Sequence, residues 1–372
     1  MQHNLKSIAK HFHIEGEFHN AKPFGSGHIN DTFMVVCEKD GKAFRYVLQR
    51  INHEIFKNPP AMMENIIRVT NHIREKLQSY DRGLVARQLM VINTDDNTGC
   101  YKEENGNYWR MYNLIENAFT RDVMENDAQT FEAARMFGWF QRMLIDLPKP
   151  QLHETIPDFH NTPKRFRDFQ RILKSDPCNR AGSVKAEIDF AIEHAWICDV
   201  LLNLVDNGQI PVRITHNDTK INNIMLDEKT GSGVCVIDLD TVMPGLSLYD
   251  FGDMVRTATT PAEEDEPDLS KVVMQMPRFE KLVKGFVQET GGFLTNAEKK
   301  HLVSGGKVII FEQFIRFLGD HLAGDTYYKI HRKNHNLDRS RTQMKLLQSI
   351  IAQEEQMNDV IGRILRRKIT TK

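Results

Sequence analysis

The rhythm of apolar and polar positions changes about a third of the way along the chain. In the first third the runs are short and strand-like. Residues 32–37 and 43–51 flank "EKDG", a hairpin signal. The stretch "PPAMMENIIRVTNHIREKLQSY" (59–80) predicts a helix with Pro near its start. Segments 84–92 and 107–115 read as two further strands, joined by the turn-rich "NTDDNTGCYKEENG". From about 127 onward helical spacing takes over. Ala133, Phe137, Phe140 and Leu144 recur at i, i+4, i+7 and i+11, and Pro148 ends the run. Thr162 before Pro163 is the expected N-cap of a further helix. Long helices are expected at 184–206, 295–322 and 338–366. The exception is 210–241, where "IPVRIT", "NIMLD" and "VCVIDLD" read as short strands separated by polar turns. The pattern predicts an α+β chain, with a small antiparallel sheet ahead of a larger, mainly helical part.

Composition narrows the class without naming a function. The chain has 372 residues, room for two lobes each with its own core, of which 40% are hydrophobic and 27% charged. Its 49 basic and 50 acidic residues leave a formal charge of −1, which gives no reason to expect an extended nucleic-acid or anionic-membrane surface. No apolar run approaches a membrane span, and the start lacks the pattern of a signal peptide. The five cysteines (Cys37, Cys100, Cys178, Cys198, Cys235) are scattered, with no CxxC pair. Neither a disulfide framework nor a zinc site follows, and the expected compartment is the reducing cytoplasm.

The candidate chemistry lies in the strand-rich exception. "HNDTKINNIMLD" (216–227) places His216, Asp218, Asn222 and Asn223 between apolar runs, and "VCVIDLDT" follows at 234–241. A turn alone explains most HxD sequences. Here Asp218 and Asn223 have the spacing of H-x-D-x-x-x-x-N, and Asp238 ends the next apolar run, where a hairpin returns it beside Asn223. Phosphoryl transfer needs those groups. A carboxylate such as Asp218 accepts the substrate hydroxyl's proton. Mg²⁺, which offsets phosphate charge, prefers oxygen ligands such as Asn223 and Asp238 can offer. His216 is expected to shape the loop. Asp240 either assists through water or caps the following turn.

"HNDTKINN" followed by "VIDLDT" resembles the catalytic and metal-binding motifs of the aminoglycoside phosphotransferase and choline-kinase superfamily, whose fold is protein-kinase-like. The run "THNDTKINNIMLD…VIDLDTVMPGLSLYDFGDMVR", with "GSGHINDTF", "YVLQRIN", "PDFHNTPKRF" and "RFLGDHLAGDTYYKI", is similar to the N-acetylhexosamine 1-kinases of that group. The resemblance implies two lobes, an N-terminal nucleotide-binding lobe over 1–115 and a catalytic, acceptor-binding lobe over 116–372. It also implies ATP as donor, Mg²⁺, Asp218 as base, and Asn223 with Asp238 as metal ligands. "YDFGD" (249–253) follows that metal motif, so Asp250 is expected to anchor the loop to the next helix.

Gly25 and Gly27 in "FGSGHIND" precede the hairpin, where they let backbone approach phosphates. "YVLQRI" lacks the lysine that this superfamily carries there; Arg50 is the first substitute and Gln49 the other, and strand alternation allows only one of them. Glu64 either orients that residue or is an exposed helix charge. Adenine is expected at a hinge near Asn113–Ile115, in a segment that reads otherwise as a plain buried strand. Arg316 and Asp320, with His321 beside them, are acceptor candidates on one helix, and His28 and Asn30 approach from the glycine turn.

The expected reaction phosphorylates the C1 hydroxyl of GlcNAc or GalNAc. The alternatives are a same-fold kinase of choline, an amino alcohol or an aminoglycoside, and a non-catalytic module of that fold. "PAEEDEPD" (261–268) offers acid for a cationic acceptor but reads as a solvated loop, as "RRKITTK" reads as a solvated tail.

Overall fold

The computed structural model describes residues 3–25, 29–79 and 81–369. The N-terminal part contains α1 (Leu5–Ala9), β1 (Glu17–Pro23), β2 (Asp31–Lys39), β3 (Lys42–Ile51), α2 (Pro59–Gln78), α3 (Arg82–Val85), β4 (Val91–Ile92), β5 (Tyr101–Lys102) and β6 (Tyr108–Asn113). These strands form one antiparallel sheet in the order β1-β2-β3-β6-β4, with β5 also pairing with β6. Asp40 and Gly41 turn the β2–β3 hairpin with φ of 50° and 74°, the left-handed pair that matches strand twist. Asn58 caps α2, its side chain accepting from the Ala61 amide at 3.2 Å.

Alternation along β3 and β6 decides what the sheet presents on each side. Leu48, Trp109 and Met111 pack with Val35, Ile8 and Phe12 in a small core under the outer face. Ile51, Tyr112 and the α2 residues Ile66, Val69 and Ile73 belong instead to the large core that continues through the C-terminal helices. The inner face of the sheet thus shares its core with the second part of the chain.

That second part runs β7 (Ala118–Phe119), α4 (Asp127–Met143), α5 (Thr162–Ser175), α6 (Lys185–Glu193), α7 (Val200–Asp206), β8 (Arg213–Thr215), β9 (Ile224–Asp227), β10 (Gly233–Val236), β11 (Met243–Gly245), α8 (Ser247–Ala258), α9 (Met276–Thr290), α10 (Asn296–Lys300), α11 (Leu302–Ala323) and α12 (His335–Ile369). Strands β10-β9-β7 and the pair β11-β8 make two small antiparallel sheets that frame the polar cluster.

Several elements differ from the sequence expectation. Segment 84–92 is not one strand. Asp81 accepts from the Leu84 amide at 3.0 Å and starts a helical turn, so only Val91–Ile92 pairs. Thr162 does not cap α5: Asn161 does, accepting from Lys164 N at 3.1 Å, and the Thr162 hydroxyl donates to Glu312 at 2.8 Å. The helix expected over 184–206 is broken by a 3-10 turn at Ala195–Asp199, and that over 295–322 breaks at His301. The acidic run 261–268 is a solvent-facing loop, as expected, but its acids are also paired. Glu264, Asp265 and Glu266 pair with Arg256 (2.6 Å), Arg332 (2.6 Å) and Lys271 (3.3 Å).

Candidate active site

The loop after β8 carries four polar residues because backbone and buried side chains absorb most of their polar groups. His216 is buried; its Nε2 donates to the Ile237 carbonyl at 2.9 Å and its Nδ1 accepts from the Asp218 amide at 3.3 Å. Asp250, wholly buried in the first turn of α8, accepts from the amides of His216 (3.1 Å) and Asn217 (2.7 Å) and from Gln141 Nε2 (2.6 Å). Burial raises the Asp250 carboxyl above its ordinary value, against the pull of His216 and these donors. Asn217 takes the left-handed conformation at φ 65°. Its Nδ2 donates to Thr241 O at 2.9 Å, and the Thr241 hydroxyl donates to His216 O at 2.7 Å. Loop, metal-motif turn and α8 are one hydrogen-bonded block.

Within that block Asp218, Asn223 and Asp238 keep oxygens free. Asn223 donates through Nδ2 to the Asp218 carbonyl at 2.9 Å, which leaves its Oδ1 as the available ligand atom. Asp238 takes φ 60°, and its carboxylate makes no hydrogen bond among the described residues. Asp238 opens to solvent, yet the hydration it loses to the surrounding protein, then the charges of Asp240 and Asp218, push its carboxyl up to about 6. Burial alone would raise Asp218 too, but Lys220, His216 and Arg256 outweigh it and hold the carboxyl below its usual range. An amide oxygen and an unpartnered carboxylate fit a hard divalent cation that draws its remaining ligands from phosphate and water. No cluster of three or more His, Cys, Asp or Glu residues suited to a metal occurs among the described residues, consistent with so sparse a site.

The other expected site residues divide. Gly25 has φ 77°, a conformation that favours glycine, while Gly27 and His28 lie outside the described residues. Arg50 points to the outer side of the sheet, where it pairs with Asp31 at 2.5 Å. Glu64 pairs with His153 at 2.9 Å, so the structure does not bring Arg50 and Glu64 together. Gln49 faces inward beside Arg110, its register partner, and accepts from Arg110 Nε at 2.9 Å. At the hinge the amides of Asn113 and Leu114 are engaged by Met90 O (3.2 Å) and Arg45 O (3.2 Å). Of the three hinge residues, Ile115 alone keeps an amide without a partner among the described hydrogen bonds. Asn30 Nδ2 donates to Asp240 at 2.9 Å, so this side chain is engaged at the motif turn. Asp320 accepts from the amides of Thr326, Tyr327 and Tyr328, each at 2.9 Å, and so holds the loop after α11. His321 is buried, 3.9 Å from Asp325.

Arg316 has Gln313 at 3.3 Å and the Tyr328 ring at 5.6 Å. Other groups were not singled out from the sequence. Lys220 Nζ stands 3.5 Å from Asp218 Oδ1. The Tyr328 hydroxyl and Asp253 Oδ2 are buried and without hydrogen-bond partners. Tyr328 is within electrostatic reach of Arg316, Glu264 and Lys220, and burial pushes its phenol up to about 12. Lys220 was legible as part of the HNDTK motif itself. Arg110 left a weaker signal, a lone charge inside the apolar strand "YWRMY". Nothing local marks Asp253 or Tyr328.

A family model described as "Phosphotransferase enzyme family" matches residues 20–273. Among solved structures, the chain is similar to a microcompartment-associated aminopropanol kinase at TM-score 0.63 and 14% identity, covering 95% of this chain and 98% of that one. A Plasmodium vivax ethanolamine kinase aligns at TM-score 0.53 and 12% identity, over 87% of this chain and 82% of that one. A spectinomycin phosphotransferase, solved with ADP and spectinomycin, aligns at TM-score 0.54 and 12% identity, over 94% of this chain and 97% of that one. At such identities the likeness is one of fold.

Proposed function

The chain belongs to the phosphotransferase enzyme family, and we propose that within it the protein is an ATP- and Mg²⁺-dependent kinase phosphorylating the anomeric hydroxyl of GlcNAc or GalNAc. The observation that carries the phosphotransfer reading is the trio in one loop block: an ionised Asp218, an Asn223 amide oxygen left free, and an unpartnered Asp238 carboxylate. Asn223 and Asp238 would hold Mg²⁺, which would neutralise phosphate charge. Asp218 accepts the proton of the C1 hydroxyl as that oxygen bonds to the γ-phosphorus and the bond to the ADP oxygen breaks. A carboxylate below its usual pKa is a weak base, which suffices because the C1 hydroxyl is more acidic than an ordinary alcohol. The transition state is also loose, so proton removal comes late. Lys220, beside Asp218, is placed to meet the charge of the transferring group.

The acceptor assignment rests on charge. A cationic acceptor calls for uncompensated acid, yet the acids near Asp218 are matched by cations. Arg256 donates to Asp253 Oδ1 at 2.7 Å and to Glu264 at 2.6 Å. Lys220 adds positive charge beside Asp218, and Tyr328 lies within electrostatic reach of both Lys220 and Arg316. A neutral polyol suits these walls, with the Tyr328 hydroxyl and Asp253 Oδ2 as hydrogen-bonding groups without partners among the described residues. The test is ADP release against GlcNAc, GalNAc, choline, aminopropanol and an aminoglycoside, with phosphorus NMR of the product. A hexosamine 1-phosphate is the expected result. Turnover confined to a cationic alcohol would replace this acceptor reading with that of an amino-alcohol or aminoglycoside kinase.

A further inference from the structure

We infer that Arg110, acting through Asp240, is a positioning residue for Asp238: it clamps the metal-motif turn to the N-terminal sheet. The inference rests on the proposed reading of Asp238 as a metal ligand and adds a residue from outside the motif.

Arg110 sits in the middle of β6 and is 1% exposed. A guanidinium so placed needs partners for its donors. It finds them on β3 and in the turn after β10. Nη1 and Nη2 both donate to the Asp240 carboxylate, the latter at 3.0 Å, while Nε donates to Gln49 at 2.9 Å. Asp240 is itself 3% exposed and also accepts from Asn30 at 2.9 Å, so both of its oxygens are engaged by the N-terminal part of the chain. This resolves its place: Asp240 serves the turn.

Asp238, two residues earlier, needs that support. It is a non-glycine residue at φ 60° and ψ 56°, a conformation that persists only where the surroundings hold it. On its upstream side Ile237 is fixed to the catalytic loop, its amide donating to Asn223 O at 2.9 Å and its carbonyl accepting from His216 at 2.9 Å. On its downstream side, the Asp240 side chain is tied to Arg110. The carboxylate of Asp238 makes no hydrogen bond of its own, so the backbone between these two anchors sets its direction. Mg²⁺ tolerates little departure from octahedral geometry, so a carboxylate aimed by the backbone alone is sensitive to either anchor. The N-terminal sheet carries Gln49, not a lysine, at the β3 position paired with Arg110. Its electrostatic link to the metal turn comes instead from the neighbouring strand, with Gln49 holding the guanidinium in place. Through Asn30 the residues following the glycine turn share the same carboxylate.

The experiment measures ADP affinity by calorimetry with and without Mg²⁺, alongside thermal melting, for the unaltered protein, Arg110→Met, Arg110→Lys, Asp240→Asn and the double variant Arg110→Met/Asp240→Asn. Each single neutral variant is expected to reduce the gain in ADP affinity conferred by Mg²⁺ by roughly 10–100-fold, while metal-free ADP binding changes far less. Arg110→Lys, which keeps the charge but not the fork, recovers only part. The double variant removes both buried charges and is expected to regain thermal stability without regaining the Mg²⁺ linkage. It keeps the test open even where a single variant folds poorly. A full Mg²⁺ linkage in the double variant or in Arg110→Met would overturn the inference and leave the kinase reading intact. If the unaltered protein shows no Mg²⁺-linked ADP binding, the kinase reading fails and the inference falls with it.

Discussion

In the proposed reaction Asp218 is the proton acceptor, and its surroundings make a defined demand of it. Lys220, His216 and Arg256 overcome burial and keep it ionised, so its role depends on the carboxylate and not on a tuned, near-neutral pKa. Replacing it by Asn preserves shape and the hydrogen bonds of the loop backbone while removing the proton acceptor. Turnover is expected to fall by about 10²–10⁴-fold with ADP affinity largely retained, measured by steady-state kinetics and calorimetry on Asp218→Asn. Near-normal turnover would remove Asp218 from the role of base. At this scale the sequence was informative where partners are close in the chain. Asp218, Asn223 and Asp238 were legible because one loop and one hairpin bring them together. Arg110 and Asp240 lie 130 residues apart, so no local pattern announces their pairing. Alternation stated that Gln49 and Arg50 face opposite ways; only the register with β6 decided which one meets Arg110.

Among the elements, α8 transmits the geometry. Its first turn supplies Asp250 to the loop after β8, and its later turns carry Asp253 and Arg256, which the proposed reading places beside the acceptor. It crosses α11, the helix of Arg316, through glycine. A Cβ on Gly252 would run into the Gly305 carbonyl oxygen, and one on Gly305 into that of Leu248. Since the obstacles are backbone atoms, a methyl group can be accommodated only by moving the helices apart. Gly305→Ala is expected to cost about 1–3 kcal/mol or more in unfolding free energy and to raise KM for the acceptor by shifting Arg316 relative to Asp218. Denaturant melts and acceptor titrations check both; an unchanged KM in a destabilised variant would separate the crossing from the site. Both helices were legible in outline from their periodicity. Their crossing was not, because periodicity reports which face is apolar and not which helix it meets. The same limit explains the broken helix over 184–206 and the helical turn in 84–92, where an Asp cap outweighed an apolar run.

For the whole molecule, the large core binds the sheet, the loop block and the helices into one cooperative unit, and a buried ion pair inside it makes stability depend on pH. His160 follows the connection after α4, and Glu312 lies on α11. Their side chains meet at 3.0 Å, while His160 Nε2 lies 2.9 Å from the carbonyl of Asn217 in the catalytic loop. Burial lowers the imidazole pKa, but the charge and hydrogen bond of Glu312 and the Asn217 carbonyl outweigh it, so the folded value is raised above 6.5. Burial raises Glu312, and the charge and hydrogen bond of His160 outweigh that in turn, so its folded value is lowered below 4.5. The signs follow from linkage. The His160 contribution is fully present below about 6.5 and is lost as pH rises through its folded value. The Glu312 contribution is present above its unfolded value and is lost as pH falls. The pair is therefore at full strength between these limits, and stability is expected to decline on the alkaline side. Thermal melts across pH 6–9 should show this decline in the unaltered protein and a flatter profile in His160→Gln, whose amide keeps a donor without the titrating charge. An equal slope in both proteins would mean that His160 is not the group that titrates in this range.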